Sequence, residues 1–167
     1  MGAIAQFLEQ DHDRLDTLLT KVRANGELDL KAFEEFRRGL LRHVGMEELI
    51  LIPAARRLSG AIVSLAQRTR RDHAALTSLL IPNPTAKVVS ALNAVLVPHN
   101  LMEEEAGGLY AQCEEALGAE SAVVLAELRA APDIPPAAHV DGPRVFGSIG
   151  RALAEAGYAA LSEEFHG

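Results

Sequence analysis

The sequence predicts an all-α protein: an antiparallel four-helix bundle built from two helical hairpins, followed by extra C-terminal helices. Three observations lead there. Of 167 residues, 28 are alanine and 24 leucine, both strong helix formers, while aromatic residues make up only 4%. Apolar positions recur at steps of three and four, the spacing of a helix face and not of a strand. The chain also repeats itself: Asp11-His12 returns as Asp72-His73 with the same apolar positions behind it, and His43-Val44-Gly45-Met46-Glu47-Glu48 returns as His99-Asn100-Leu101-Met102-Glu103-Glu104. Each half is a hairpin, and two hairpins make a bundle.

Helix one is expected over about Ala3–Ala24, stopped by Asn25-Gly26. Helix two begins after Asp29, an N-cap, and continues to about Leu58 with a bend at Pro53, until Ser59-Gly60 ends it. Helix three covers about Ala61–Leu80. Pro82-Asn83-Pro84 forces a turn, Thr85 caps helix four, and helix four runs to about Leu117 through a second kink at Pro98. A short helix fits Glu120–Ala130. Residues 132–143 hold four of the eight prolines and read as an extended linker, after which Arg144–Ser162 is helical again. The expected division is 1–118 for the metal-binding bundle, 119–131 for the accessory helix, 132–143 for the linker, and 144–167 for a helix that packs on the bundle or on a partner.

The polar residues that interrupt the apolar faces carry the chemistry. Phe33, Phe36, Leu40, His43, Glu47, Ile50 and Ala54 form one core-facing stripe of helix two; Leu92, Leu96, His99, Glu103, Ala106, Tyr110, Cys113 and Leu117 form that of helix four. His12 and His73 sit on the apolar faces of helices one and three. A buried, unpaired carboxylate costs several kcal/mol, so two of them inside a bundle call for a cation. Histidine and glutamate four residues apart share a face and converge on one point. Four imidazoles and two carboxylates then form one dinuclear site, two histidines to each metal and the carboxylates available as bridges.

The order H, HxxxE, H, HxxxE over four helices, with DHDRL opening the first and HVGMEELILIP on the second, resembles the hemerythrin HHE cation-binding family over roughly Ile4–Leu117. The resemblance implies an antiparallel four-helix bundle around two non-haem irons, with His12, His43, Glu47, His73, His99 and Glu103 as ligands; zinc or manganese are the alternative metals. Oxygen carriers of that family have an HxxxH on the third helix, whereas here Thr69 and Thr77 lie one turn either side of His73, so the likeness is to the bacterial HHE proteins.

The remaining candidates have simpler readings. Glu48, Glu104 and Glu105 lie about 100° or more from the ligand face and read as solvated acids. Asp11 and Asp72 are possible acceptors for a ring N–H. Tyr110 reads as core with a satisfied hydroxyl, Cys113 as a small buried hydrophobe, Met46 and Met102 as packing, and His139 and His166 as exposed, with His139 and Tyr110 the only candidates for an extra ligand. A formal charge of −7 has the wrong sign for neutralising phosphates, which argues against nucleic acid and anionic membrane as partners. The longest uncharged apolar run, 88–102, falls short of the ~20 residues a bilayer needs. One cysteine and an N-terminus without signal-peptide character suggest a reducing cytoplasm. Small residues Gly147, Gly150, Ala154 and Gly157 on the last helix permit docking on the bundle or a homodimer. The functional expectation is a diiron protein that binds or senses dioxygen, nitric oxide or redox state; an enzyme acting on peroxide or nitric oxide, or donating iron for repair, is the alternative, followed by metal storage or a structural zinc bundle.

Overall fold

The computed structural model describes residues 2–23, 26–59 and 63–166, and every regular element among them is helical. Helix α1 spans Ala3–Val22 and α2 spans Leu30–Met46. Asp29 caps α2 as expected, its carboxylate accepting from Ala32 N at 2.9 Å. Of the predicted stop after α1, Gly26 lies in the left-handed region at φ 80°, while Ala24 and Asn25 lie outside the described residues.

Helix two is not one bent helix to Leu58. After α2 the chain makes a π turn over Glu47–Leu51 and resumes as α3, Ile52–Leu58. Pro53 has no N–H for the carbonyl of Leu49 and its ring crowds that carbonyl, so the ladder widens before it and Ile52 N bonds Glu47 O. The π turn begins on the glutamate that the sequence marks as a ligand.

Helix α4 spans Val63–Leu79; the predicted start at Gly60-Ala61 lies outside the described residues. Thr85 caps α5, Ala86–Glu104, by accepting from Val88 N at 3.2 Å, and α5 contains Pro98. The expected continuation to Leu117 is interrupted. Gly107 turns at φ 80°, and at Gly108 a Cβ would stand 2.5 Å from Met102 O, an approach open only to glycine. Helix α6, Leu109–Leu117, restarts there, followed by a 3₁₀ turn at Gly118–Glu120 and α7, Ser121–Arg129.

Residues 132–143 are extended but not free of the helices. Arg37 Nη2 donates to Ala137 O at 2.8 Å, Asn83 Nδ2 to Asp141 Oδ2 at 2.7 Å, and Val140 N to Ile81 O at 3.0 Å. The last expected helix is two, α8 at Pro143–Glu155 and α9 at Ala159–Glu163, separated at Gly157, where φ is 93°. Helix α8 packs on α4 and α9. Of its small stripe, Gly150 meets a neighbour closely: the His166 ring occupies the space a Cβ would need, 2.7 Å away.

Helices α1 and α2 pack together, α4 packs on α5, and α1 also meets α5. Two apolar clusters fill the interior. One joins the end of α1 (Leu15, Leu19, Val22) to the start of α2 (Phe33, Phe36, Leu40), with Leu76, Leu92, Ile149 and Phe165. The other joins the start of α1 (Ile4, Leu8) to the end of α2 (Met46), with Leu51, Leu109, Cys113 and Leu128. His12 falls between Leu8 and Leu15, and His43 between Leu40 and Met46, so the polar residues form a layer between two hydrophobic plugs. No described helix is long and apolar enough to cross a membrane.

Candidate metal centre

All six sequence-predicted ligands are buried and meet in that layer. Glu47 and Glu103 are fully enclosed, and His12, His43, His73 and His99 are at most 4% exposed. Their donor atoms form two overlapping sets, His12–His43–Glu47–Glu103 and Glu47–His73–His99–Glu103, each with all atoms within 4.8 Å of one another. Both sets contain both carboxylates. Around one ion at about 2.1 Å, adjacent donors stand roughly 3 Å apart. The observed edges match that spacing: His12 Nε2 to His43 Nε2 is 2.9 Å, His73 Nε2 to Glu47 Oε2 3.0 Å, and His43 Nε2 to Glu47 Oε1 and His99 Nε2 to Glu103 Oε2 are each 3.4 Å.

Each imidazole is turned by a carboxylate at its other nitrogen. Nδ1 of His43 lies 2.9 Å from Asp11, that of His99 3.3 Å from Asp72, that of His73 3.0 Å from Glu48, and that of His12 2.5 Å from Glu104. An ionised carboxylate only accepts, so Nδ1 donates, and Nε2 is the atom turned inward to take either a second proton or a metal. Glu48 is half-buried and Glu104 exposed as expected, but neither is only a solvated acid: the direction 100° round from Glu47 faces α4, and the one round from Glu103 faces α1. Asp11 and Asp72 accept from the histidine of the next helix, not from their own neighbours. Glu105 is exposed, as expected. Arg14 and Arg70 pair with Asp11 at 2.8 Å and Glu48 at 3.2 Å, extending two of these chains toward the surface.

The metal-free charges follow from this packing. Burial alone lowers His43, but Glu47 and Asp11 outweigh it and push it up to about 10; the same opposition of burial against Glu47 and Glu48 takes His73 up to about 9. Burial dominates at His12 and His99 and holds both below the usual histidine value. Glu47, although buried, is held well below the ordinary carboxylate value by His43 and His73, whereas burial and the charge of Glu47 keep Glu103 well above it. Protons on His43, His73 and Glu103 thus stand in for cations.

The residues present fit a metal pair. Glu47 Oε2 and His73 Nε2 are buried with no hydrogen-bond partner, close to each other but not aligned. His12 and His43 aim their Nε2 atoms at each other across 2.9 Å, which is repulsive without a proton or a cation between them. A metal at each set resolves both, and the imidazole-carboxylate donor set suits iron, zinc or manganese.

Other candidates fall elsewhere. Tyr110 is buried, and its hydroxyl is not merely satisfied in the core: it donates to Glu47 Oε1 at 2.6 Å and lies 3.1 Å from Glu103 Oε2 and 3.1 Å from His12 Nε2. Thr69 Oγ1 reaches Glu103 Oε1 at 3.4 Å, while Thr77 bonds His73 O within its own helix. His139 folds back, but onto Glu34 at 2.7 Å, nine residues before His43 and so more than 10 Å along α2 from the centre. His166 is exposed, and Met46 and Met102 are packing residues. Burial pushes the Cys113 thiol up to about 12, in keeping with an inert core position. The duplication was the signal for the outer acids, since Glu48 and Glu104 are repeated as faithfully as Glu47 and Glu103.

The family model of the hemerythrin HHE cation binding domain matches residues 3–106, a span that contains all six candidate ligands and ends before Tyr110. No curated protein and no solved structure matches the chain.

Proposed function

Since the chain belongs to the hemerythrin HHE cation-binding family, we propose that it is a dinuclear non-haem iron protein that responds to dioxygen, nitric oxide or redox state. Residues 1–118 supply the metal unit, with α1, α2, α4 and α5 as its antiparallel four-helix bundle and the later helices as its cover. His12 and His43 hold one iron, His73 and His99 the other, and Glu47 and Glu103 serve both. When bound, the pair supplies one-electron redox change and open positions for a diatomic molecule. The protein's own residues supply orientation of the imidazoles, exclusion of bulk water and a small way in.

That way in is the observation that carries the reading. A cavity of about 30 Å³ lies against His12, His43 and His99, walled by Leu15, Leu40 and Leu96. A single water needs about 10–15 Å³ measured this way, so the space takes a diatomic molecule or one or two waters and no organic substrate. Four imidazoles also leave both irons under-filled by protein.

Mixing the anaerobic, iron(II)-loaded protein with dioxygen or nitric oxide tests this. The expected results are rapid oxidation to iron(III) by dioxygen, with no gas recovered under vacuum, and a spectral change on nitric oxide binding. Recovery of dioxygen under vacuum would make the protein a carrier. Sustained turnover of peroxide or nitric oxide would make it an enzyme.

A further inference from the structure

We infer that Tyr110 is a seventh protein ligand, coordinating the metal held by His12 and His43, so that the two metal positions are chemically unequal. The inference rests on the dinuclear reading above and goes beyond it. The Tyr110 hydroxyl is 2.6 Å from Glu47 Oε1, 3.1 Å from Glu103 Oε2 and 3.1 Å from His12 Nε2. His12, Glu47 and Glu103 belong together to one set, His12 to that set alone, and these separations are those of a further donor at the next vertex around the same ion.

Among the described residues no equivalent donor stands at the other set. The repeat that carries His43 to His99 and Glu47 to Glu103 carries Ala54 to Tyr110, and Ala54 has no donor atom. The nearby hydroxyl on that side, Thr69, bonds a carboxylate oxygen of Glu103 at 3.4 Å. The break at Gly107-Gly108 has no counterpart at the π turn of the first hairpin, and it is after this break that α6 presents Tyr110. The two halves of the duplicated chain have therefore diverged at one donor.

Coordination forms an oxygen–metal bond and breaks the phenol O–H bond; the proton leaves to water, and no electron moves. Tyr110 would fill a position of the His12–His43 metal whose counterpart at the His73–His99 metal stays open, so the wild-type pair would take one added ligand fewer than a pair without the phenolate.

The test uses the full chain, loaded anaerobically with two iron(II) and oxidised with ferricyanide, and Tyr110→Phe treated alike. The wild-type protein is expected to show a visible tyrosinate-to-iron(III) band with matching resonance Raman modes, both absent from Tyr110→Phe. Azide titration is expected to saturate at one per two irons in the wild type and at two in the variant. Two bound irons without tyrosinate modes in the wild type would overturn the inference whatever the variant does, while leaving the dinuclear reading intact. Equal azide stoichiometry in two iron-loaded proteins would overturn it as well. Fewer than two irons in the wild type would bring down the dinuclear reading and this inference together.

Discussion

Glu47→Ala and Glu103→Ala are each expected to emerge from purification essentially free of metal, because each removes a donor from both ligand sets at once. Each also leaves the opposite carboxylate as the only one on the inner side of four buried imidazoles. Glu48→Ala and Glu104→Ala act differently. They free the Nδ1 of His73 and His12 from the acceptors that hold those rings, at 3.0 and 2.5 Å, without removing a ligand atom. Loss of such an orienting partner typically weakens metal binding by about 10–100-fold. These two variants therefore still fill at saturating metal, and Asp11→Ala and Asp72→Ala should resemble them. Metal per chain after dialysis, followed by titration, separates the two groups. Equal and complete loss from all six variants would mean that the outer acids are ligands and that the ranking of inner over outer carboxylates is wrong.

Raising the pH from 7 to 9 is expected to weaken the metal-free protein while leaving the metal-bound one nearly unchanged. In the metal-free protein His43 and His73 are protonated up to about 10 and about 9, far above the value they take when unfolded. A group whose folded value is raised stabilises the fold fully below its unfolded value and loses that contribution as pH climbs through the folded one. The metal-free fold therefore weakens steadily above about pH 6.5. It also weakens on the acid side, where His12 and His99, held low by burial, and Glu47, held low by its histidines, must take up protons on folding's reversal. Metal binding follows the other sign. Loading both sets displaces the protons of His43, His73 and Glu103, so the combined affinity rises between pH 7 and 9 by at least the ~100-fold per pH unit that the two imidazolium protons alone give, and less steeply above about 9. The gap in melting temperature between loaded and chelated protein should widen over that range. A gap that is constant or that narrows would contradict the charge assignment at His43 and His73.

The parts of this structure legible in the sequence are those determined within one helix. Asp29 and Thr85 cap where their side chains reach the third amide ahead, a strictly local event. His43 with Glu47, and His99 with Glu103, share a face through the i, i+4 relation, and the apolar residues on either side announce that the face is inward. What lay beyond the sequence is what depends on the neighbouring helix. Glu48 lies 100° round from Glu47, which on an isolated helix is a solvated side and here faces His73 of α4. Asp11 reaches across to α2 for the same reason. Pro53 signals an interruption, but an interruption can be a kink or a widening of the ladder, and here the ladder widens into a π turn. At Gly107-Gly108 two adjacent glycines outweigh the apolar periodicity that continues through them, and the break they allow brings Tyr110 onto both buried carboxylates. Residues 132–143 look like a free linker by composition, yet their carbonyls and Asp141 find donors on α2 and at Asn83.

The central claim is two metals sharing two carboxylates, and the most direct measurement is anomalous diffraction at the iron edge from crystals of the iron-loaded protein. Two peaks are expected, one among His12, His43, Glu47 and Glu103 and the other among Glu47, His73, His99 and Glu103, both touching both glutamates. A single peak at full loading, or a second peak away from Glu47 and Glu103, would contradict the account.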